Sequence, residues 1–528
     1  TTTTSTTTTH TTTTTTTNTH TTLPQHPRFQ LQHTSEAQVN YTLQHLDTTK
    51  ATDIYSISPL IVKHNYEILA PIITTQFNNC VTQGKYPTIL TYTRIAAIYK
   101  KKQKTLPENY RPISILPIIA KIYDTIINDQ LMNHLLRHNI LSKYQYAFRP
   151  QSDTTAALTA IIDDIKHSKA KRHPIISIFI DLTKAYDTIS HQKLLHMLKH
   201  RYNFHPTTLA LFTSYFTNRM QTTHTPYAKS IPQLITHGIP QGSILSTTLF
   251  IMYINDIHTT TSHGQTYIYA DDITYIASSP TALTLQTNIH HDLANITDYL
   301  TDANLVPSPS KTSFTQYYPA LFHATNNPHF NNVINRLYIT LNNTHLEHKD
   351  LVTLLGFQLY KTLRNHDHIL ELKTKLLPNI FTLRYASHTL PTHSLRQLYF
   401  SLIYSHLIYA ITIWGTDKTT ATYMIPIHRL HKRIIRIITK SSPHAHTKPL
   451  YKQLRILNLF QLYTYRTILP MHSIIYPPPP KPHTKPIGRA PLPEHRPHHN
   501  AQYQTITQTH SHATRLSTKH PQLLHYTN

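Results

Sequence analysis

The strongest chemical signal in the chain is a pair of adjacent carboxylates, Asp271 and Asp272, in the segment Thr266-Tyr-Ile-Tyr-Ala-Asp-Asp-Ile-Thr-Tyr-Ile-Ala277. Runs rich in Tyr, Ile and Thr flank the pair and predict two β-strands. The sequence therefore predicts a hairpin that concentrates negative charge at its tip. Because like charges this close repel each other, a cation is expected there. Oxygen-only ligands favour Mg²⁺, which commonly serves phosphate chemistry.

A third carboxylate, Asp181, follows the apolar run Pro174-Ile-Ile-Ser-Ile-Phe-Ile180, which predicts a strand with an acidic end. Positions 181 and 271 are 90 residues apart, so only the tertiary fold can bring these side chains together. Three carboxylates on neighbouring strand ends could hold two Mg²⁺ ions about 3.5–4 Å apart. Such a pair of ions would activate an attacking hydroxyl and stabilise a leaving pyrophosphate.

Two other acidic positions have simpler interpretations. Asp163 and Asp164 are also adjacent, but they lie in a predicted helix and are interpreted as part of a solvated face. Asp187 is interpreted as a helix cap, because Asp is among the residues preferred at helix N-termini.

The segment Gly238-Ile-Pro-Gln-Gly-Ser-Ile-Leu-Ser246 contains two of only seven glycines in the chain. Glycine permits close approach of the backbone to a ligand, and the Gln241 amide could contact a base or sugar edge. An ordinary turn before a helix is the alternative interpretation.

Composition restricts the class of protein. The formal net charge is +25 and the pI is about 9.8, and much of the basic excess lies in the middle of the 528 residues. This balance favours a nucleic-acid partner over a membrane. The one cysteine, Cys80, excludes a disulfide framework and a Cys-based zinc site within this chain. The chain has no run of about 18 apolar residues, so no membrane span is expected. Because threonine fills 18 of the first 22 positions, no signal peptide is expected either.

The ordered motifs resemble those of reverse transcriptases. Asp181-Leu-Thr-Lys-Ala-Tyr-Asp187, Gly238-Ile-Pro-Gln-Gly-Ser243 and Tyr269-Ala-Asp-Asp272 occur in the order and spacing of motifs A, B and C of that family. Tyr110-Arg-Pro-Ile-Ser-Ile-Leu116 is similar to a block of non-LTR retrotransposon (LINE) enzymes, close to the jockey-like group. The segments 406–415 and 431–436 resemble the tail of the same family, so the resemblance covers roughly residues 50–470.

The resemblance implies an α+β fold, a right-hand polymerase with fingers, an antiparallel palm sheet and a helical thumb or connection. The expected regions are a Thr-rich disordered segment (1–35), an N-terminal extension of the fingers (36–105), fingers and palm (106–340), thumb and connection (341–470) and a Pro/His-rich disordered tail (471–528).

The resemblance also implies roles for individual residues. The expected catalytic residues are Asp181, Asp271, Asp272 and Lys311, of which the three carboxylates bind two Mg²⁺ ions. The expected nucleotide-binding residues are Lys100, Arg111, Tyr186 and Gln241. Tyr186 would act as the steric gate against a ribose 2′-hydroxyl, and Lys311 would protonate the leaving pyrophosphate. Lys101, Lys102 and Lys104 are alternatives to Lys100, and an ordinary surface lysine is the alternative at Lys311.

The function implied is RNA-directed DNA synthesis on an RNA template, with a DNA primer or target and dNTPs as partners, no membrane, and a nuclear location with a cytoplasmic ribonucleoprotein stage. The endonuclease usual in the family is expected to be absent from this chain, since the resemblance leaves no room for it before residue 50. Ala147, Thr247, Ser308 and Tyr360 depart from the family's usual residues. These departures keep open an inactive remnant that only binds nucleic acid. An RNA polymerase is a further alternative, against which Tyr186 argues.

Overall fold

The computed structural model describes residues 26–100, 103–225, 227–317, 338–415 and 424–475. The chain divides into two compact units. Unit 1 consists of Thr1–Leu141 with Tyr186–Leu249, and unit 2 consists of Ser142–Ala185 with Phe250–Asn528. None of the helices in the described ranges is long and apolar enough to cross a bilayer.

Thirteen strands lie in the described residues. Numbered in chain order, they are β1 Tyr92–Tyr99, β2 Tyr110–Ile115, β3 Ile175–Ile180, β4 Met220–His224, β5 Gln233–Leu234, β6 Gly264–Tyr269, β7 Asp272–Ser278, β8 Ser313–Tyr317, β9 Thr340–Leu341, β10 Thr344–His345, β11 Glu347–His348, β12 Leu351–Leu354 and β13 Phe357–Tyr360. The α-helices are Glu36–Gln44, Pro59–His64, Tyr66–Gln83, Ile118–Arg137, Thr154–Ala170, His191–His200, Pro206–Phe216, Ile244–Tyr253, Ala282–Asp302, His366–Ala386, Thr392–Tyr399, Ser405–Ile408, Ile411–Trp414, Met424–Ile438, Thr447–Leu454 and Leu459–Ile475.

Unit 1 is built around a four-stranded sheet in the order β2-β1-β4-β5. Strands β1 and β2 form an antiparallel hairpin, and β1 pairs in parallel with β4. The helix Ile118–Arg137 starts directly after Pro117, whose ring cannot continue an extended strand ladder. Ten of its residues are buried, so it is a core helix rather than a surface one.

Unit 2 is built around a five-stranded sheet in the order β11-β8-β3-β7-β6. Every pairing is antiparallel except that of the short β11 with β8. Five of the six side chains of the central strand β3 are buried, which explains its nearly continuous apolar sequence. The C-terminal helices share one hydrophobic cluster with the helix Thr154–Ala170.

The strands predicted on either side of Asp271 and Asp272, the strand predicted before Asp181 and the helix predicted at Asp163 and Asp164 are all found, and the mixed helix and strand content is confirmed. One expectation is wrong in part. Residues 26–35 were expected to be disordered, but Phe29 and Leu31 are only 3% exposed and Phe29 packs on Phe204. The segment is too short to bury its own side chains, and its apolar partners lie far away in the sequence. Residues 1–25 and 476–528 lie outside the described residues. The compact units cut the chain differently from the predicted domain boundaries, which remain a prediction.

Candidate active site

The acidic hairpin forms at the position that the sequence predicts. Strands β6 and β7 pair up to Tyr269 and Asp272, which leaves Ala270 and Asp271 as a two-residue tip. Ala270 has a φ of 55°, in the left-handed region, where an L-residue other than glycine is strained by about 1–2 kcal/mol. A two-residue hairpin normally places glycine at such a position. The tip therefore holds the two carboxylates on a strained, sharply turned backbone.

A buried glutamine supports this tip, and the sequence analysis missed it. Gln145 is 1% exposed, and its Oε1 accepts hydrogen bonds from the amides of Ala147 at 2.9 Å and Ala270 at 3.3 Å. The neighbouring residues Tyr144 and Tyr146 exchange backbone hydrogen bonds of 2.9 Å with Ile268 in β6. Gln145 lies in the segment Tyr144–Arg149, two residues before Ala147, which is one of the departures from the family's usual residues.

Asp181 lies beside the tip because of strand register. In the β3–β7 ladder Ile180 pairs with Ile273, so Asp181 and Asp272 occupy the next opposing positions, where side chains are typically about 5 Å apart at Cβ. The backbone of Asp181 is held from both directions. Its amide donates to Thr312 Oγ1 at 3.3 Å, and its carbonyl accepts from the Ser308 amide at 2.8 Å.

The same loop brings Lys311 to the carboxylates. Lys311 Nζ lies 3.2 Å from Asp181 Oδ2, which makes an ion pair. The orientation does not give a hydrogen bond, however, and Asp181 Oδ2 is a buried atom that accepts none from the described residues. Because one ammonium group does not use all the lone pairs of this oxygen, a cation could also bind there.

The carboxylates affect one another electrostatically. Desolvation, followed by the negative charges of Asp271 and Asp181, raises the pKa of Asp272 to about 6. The side chain of Asp272 is still exposed to solvent, so the neighbouring charges are the more informative cause. Three carboxylates thus converge in unit 2 with more negative charge than Lys311 alone neutralises. All their donor atoms are hard oxygens, and this set fits Mg²⁺.

A second cluster in unit 2 looks like a metal site but has a structural explanation. His263, His291 and Asp292 place one donor atom each within 4.8 Å of one another. Asp292 already accepts hydrogen bonds from the amides of Ser262, His263 and Gly264 at 2.9–3.0 Å and from the Tyr275 hydroxyl at 2.8 Å. Its carboxylate therefore has little capacity left for a cation, and it serves to fix the turn before β6.

In unit 1 the glycine-containing turn packs against the segment that carries Tyr186. The Ile239 amide donates to the Tyr186 carbonyl at 2.9 Å. Gly238 has a φ of 82°, and a Cβ there would lie 2.9 Å from the Asp187 carbonyl oxygen. Glycine is therefore required both by conformation and by space. Gln241 Nε2 donates to Asp187 Oδ1 at 3.1 Å. The Gln241 side chain therefore contacts the residue that directly follows Tyr186.

The contact with Gln241 corrects the interpretation of Asp187 as a helix cap. The helix His191–His200 is capped by Ser190, whose side chain accepts from the Lys193 amide. Asp and Ser are about equally good N-caps, so the sequence alone did not separate the two positions.

Arg111 and Lys100 lie on the β1–β2 hairpin of unit 1, and both side chains are exposed. Arg111 pairs with Ile98 in the ladder, and the Lys100 amide donates to the Asn109 carbonyl at 2.8 Å. Exposed cations on a short hairpin are suited to bind phosphate. Lys101 and Lys102 lie outside the described residues.

Comparison with known proteins agrees with these features. Residues 98–359 match the family model described as "Reverse transcriptase (RNA-dependent DNA polymerase)". The chain is 23% identical over 391 residues to "RNA-directed DNA polymerase from mobile element jockey" of Drosophila funebris, an alignment that covers 72% of this chain and 41% of the relative. It is 23% identical over 420 residues to "Probable RNA-directed DNA polymerase from transposon BS" of Drosophila melanogaster, covering 78% and 43%.

A third relative, "Probable RNA-directed DNA polymerase from transposon X-element" of Drosophila melanogaster, is 22% identical over 403 residues, covering 74% of this chain and 42% of the relative. The chain thus spans less than half the length of these relatives. The match to the family model includes the three carboxylates, Lys311 and the glycine-containing turn. The chain carries, over residues 98–359, a reverse transcriptase domain of the non-LTR, LINE-type retrotransposon family.

Proposed function

We propose that the chain is an RNA-directed DNA polymerase that adds dNTPs to a primer 3′-hydroxyl with two Mg²⁺ ions. In this proposal residues 106–340 form the fingers and palm and residues 341–470 form the thumb and connection. The observation that supports it most is the convergence of Asp181, Asp271 and Asp272 in unit 2, where desolvation and then the negative charges of Asp271 and Asp181 raise the pKa of Asp272. A bound cation would neutralise this excess of negative charge.

The carboxylates would hold the ions, with Asp181 and Asp271 as direct ligands and Asp272 as the third. When bound, the ions would activate the attacking hydroxyl and stabilise charge on the leaving pyrophosphate. Lys311, whose Nζ lies 3.2 Å from Asp181 Oδ2, would then act in two ways. Its positive charge lowers the repulsion among the carboxylates before the cation arrives. Its ammonium group can donate a proton to the pyrophosphate as that group leaves.

Residues of unit 1 would select and hold the incoming nucleotide. The Tyr186 ring would occupy the space that a ribose 2′-hydroxyl needs, which favours deoxynucleotides. Gln241 would contact the nucleotide or the template–primer through its amide. Arg111 and Lys100 would bind the triphosphate, Arg111 through its planar, bidentate guanidinium.

A strongly basic helical region supports nucleic acid as the partner. The described residues between Leu372 and Ile475 include thirteen Lys and Arg and no Asp or Glu. Within the helix Met424–Ile438, Arg429, Lys432, Arg433 and Arg436 form like-charge pairs at spacings of three and four. Each such pair destabilises a helix by about 0.2–0.5 kcal/mol. A polyanion beside this helix would remove the repulsion, and the phosphate backbone of the template–primer is such a polyanion.

The salt dependence of binding tests this contact. In the double variant Arg429→Gln, Arg433→Gln, we expect the negative slope of log K against log [salt] for an RNA–DNA hybrid to become shallower by about 1.8, since each phosphate contact contributes about −0.9. The matched control is Lys166→Gln, Lys349→Gln, which removes two lysines already paired with Asp163 and Glu347. An unchanged slope in the arginine variant would remove this helix from the binding surface.

Primer extension on poly(rA)–oligo(dT) with Mg²⁺ tests the function as a whole. We expect dTTP incorporation, little UTP incorporation, and loss of synthesis with near-normal hybrid binding in Asp271→Asn. A folded protein that binds the hybrid but incorporates no nucleotide would contradict the proposal and identify an inactive remnant. Preference for UTP would identify an RNA polymerase instead.

A further inference from the structure

A buried polar cluster in unit 1 joins the helix Ile118–Arg137 to the start of the helix Ile244–Tyr253. Asp124 is 1% exposed. Its Oδ2 accepts hydrogen bonds from the Ser243 hydroxyl and, at 3.4 Å, from the Tyr215 hydroxyl. The positive charge of Arg219, which is also 1% exposed, favours the ionised form of this carboxyl group. Burying a carboxylate this completely costs free energy unless charged and hydrogen-bonding partners compensate for the lost water.

Arg219 is held in turn by Tyr215. Its Nη1 donates to the Tyr215 carbonyl at 3.1 Å, and its guanidinium lies over the Tyr215 ring at 4.6 Å from the centroid. Its Nε and Nη2 are buried and make no hydrogen bond to the described residues, and the same holds for Asp124 Oδ1. The cluster is therefore incompletely satisfied by hydrogen bonds, which makes the Ser243 contact an important part of what keeps Asp124 in place.

Ser243 connects this cluster to the glycine-containing turn. Its hydroxyl oxygen accepts from the amides of Leu245 at 3.1 Å and Ser246 at 3.4 Å while its proton goes to Asp124. Its own amide donates to the Pro240 carbonyl at 3.2 Å. One side chain thus fixes both the last residue of the turn and the first turn of the helix. Gln241 lies only two residues before it.

The opposite side of the turn is held by β2. The Ser114 amide donates to the Gln241 carbonyl at 2.7 Å. Gly242 has a φ of 117°, and a Cβ there would lie 3.0 Å from the Ser114 carbonyl oxygen. The Asp124–Ser243 contact on one side and β2 on the other thus hold the backbone of Gln241, whose side-chain amide donates to Asp187 Oδ1.

We propose that Asp124 and Ser243 are positioning residues for the incoming nucleotide, because they hold the Gly238–Ser243 turn and the Gln241 amide in the conformation that binds a dNTP. This inference rests on the proposed polymerase function. It adds a pair of buried residues, both in unit 1, that would act through the turn rather than directly on the nucleotide.

The same helices offer two matched controls. Thr248 Oγ1 donates to Asn128 Oδ1 at 2.5 Å, in a buried contact about one turn further along both helices that does not touch the turn. Ser246 is also buried, but its hydroxyl has no hydrogen-bond partner among the described residues. Thr248→Val therefore removes a contact away from the turn, and Ser246→Ala removes a hydroxyl that makes no hydrogen bond in the part of the chain that the structure describes.

The experiment compares Ser243→Ala with these controls in steady-state extension of oligo(dT) on poly(rA). Loss of one buried hydrogen bond is expected to raise the KM for dTTP about tenfold, with kcat and hybrid affinity changed less than about threefold. Thr248→Val should lower the melting temperature without raising this KM, and Ser246→Ala should change neither. Asp124→Asn added to Ser243→Ala should raise the KM little further, since the two residues act through one contact.

The stabilisation of the protein by dTTP and Mg²⁺, read as a thermal shift with and without the hybrid, gives a second readout that needs no turnover. We expect it to be smaller in Ser243→Ala than in either control. If the wild-type protein extends no primer, the proposed function is wrong. The thermal shift with dTTP then still tests whether Asp124 and Ser243 position the nucleotide. An unchanged KM and dTTP shift in Ser243→Ala, with a lower melting temperature like that of Thr248→Val, would show the contact to be structural only and overturn the inference.

Discussion

Asp124 in unit 1 and Asp272 in unit 2 both have a pKa raised mainly by desolvation, but the groups around them act on that pKa in opposite directions. Each has a pKa raised to about 6 from an ordinary value of 3.8. Burial alone raises the pKa of Asp124, while Ser243, Arg219 and Tyr215 act to lower this pKa. Asp272 is open to solvent, and after desolvation its pKa is raised by the like charges of two neighbouring carboxylates.

The sign of the neighbouring charge therefore separates a structural carboxylate from one that awaits a ligand. Around Asp124 the protein supplies two hydrogen bonds to Oδ2 and the counter-charge of Arg219. Around Asp272 the described residues supply further negative charge, and the lysine found there, Lys311, contacts Asp181. A perturbed pKa marks both kinds of site, and only the second kind leaves charge for an added cation to neutralise.

The largest expected effect is on stability, and it has opposite directions at the two sites. Asp124→Ala should lower the free energy of unfolding by about 3–5 kcal/mol, because it leaves the buried Arg219 without its counter-charge. Asp272→Asn should leave it unchanged or raise it by about 0–1 kcal/mol in the absence of divalent metal, because it removes repulsion at an exposed site. Urea unfolding of both variants measures the two values. Equal destabilisation of the two variants would contradict the proposed difference between the two carboxylates.

The pH dependence of stability sharpens the same contrast. A carboxyl group whose pKa is raised on folding contributes stability below its unfolded value and loses that contribution as the pH rises through its folded value. For both residues this loss falls between about pH 3.8 and about pH 6. Mg²⁺ should reverse the loss only at Asp272, so it should raise the melting temperature more at pH 7.5 than at pH 5.

The control for this measurement is Asp272→Asn, in which the effect of Mg²⁺ on the melting temperature should vary much less between pH 5 and pH 7.5. Asp124→Asn, if it folds, should keep the wild-type variation. A Mg²⁺ effect that is independent of pH in the wild-type protein would argue against a titrating carboxylate at the metal site.

Lys311 should affect metal binding as well as turnover. Its ammonium group lies where it competes with a cation for Asp181, so Lys311→Met should tighten Mn²⁺ binding about fivefold, the equivalent of about 1 kcal/mol for an exposed ion pair. The same variant should extend primers more slowly because the proton donor is gone. Weaker Mn²⁺ binding in Lys311→Met, measured by calorimetry, would show that the lysine assists the cation rather than competing with it. Lys349→Met, which removes a lysine paired with Glu347 instead, is the control.

The smallest expected effect concerns the strained tip of the hairpin. Ala270→Gly should relieve the left-handed φ, and after the entropy that glycine loses on folding the net gain is about 0.5–1 kcal/mol. Extension should not improve with stability, because a looser tip positions Asp271 less well. Thermal unfolding together with extension rates checks both expectations. A destabilised Ala270→Gly protein would mean that the tip is not strained.

Local structure near the site was predictable because its signals are local. The Tyr- and Ile-rich runs around Asp271 and Asp272 predicted β6 and β7, and the apolar run before Asp181 predicted β3. The helix predicted to hold Asp163 and Asp164 is also found, at Thr154–Ala170. No physical property of one segment predicts that these motifs form one site. The order of the family's motifs predicted it.

What the sequence did not predict depends on contacts between distant segments. The role of Asp124 requires Ser243, which lies 119 residues away. Gln145 supports Ala270 across 125 residues. The burial of Phe29 requires Phe204. Each of these residues has an ordinary sequence environment, and its function appears only when register and packing bring its partner beside it.

The central claim is that Asp181, Asp271 and Asp272 form one site for divalent cations. Calorimetric titration of Mn²⁺ into the wild-type protein and into Asp181→Asn, Asp271→Asn and Asp272→Asn tests it most directly, with Asp163→Asn as an exposed control. We predict that each of the three variants loses at least tenfold in affinity and that the control binds normally. Normal Mn²⁺ affinity in Asp181→Asn, beside a loss in the other two, would contradict the claim.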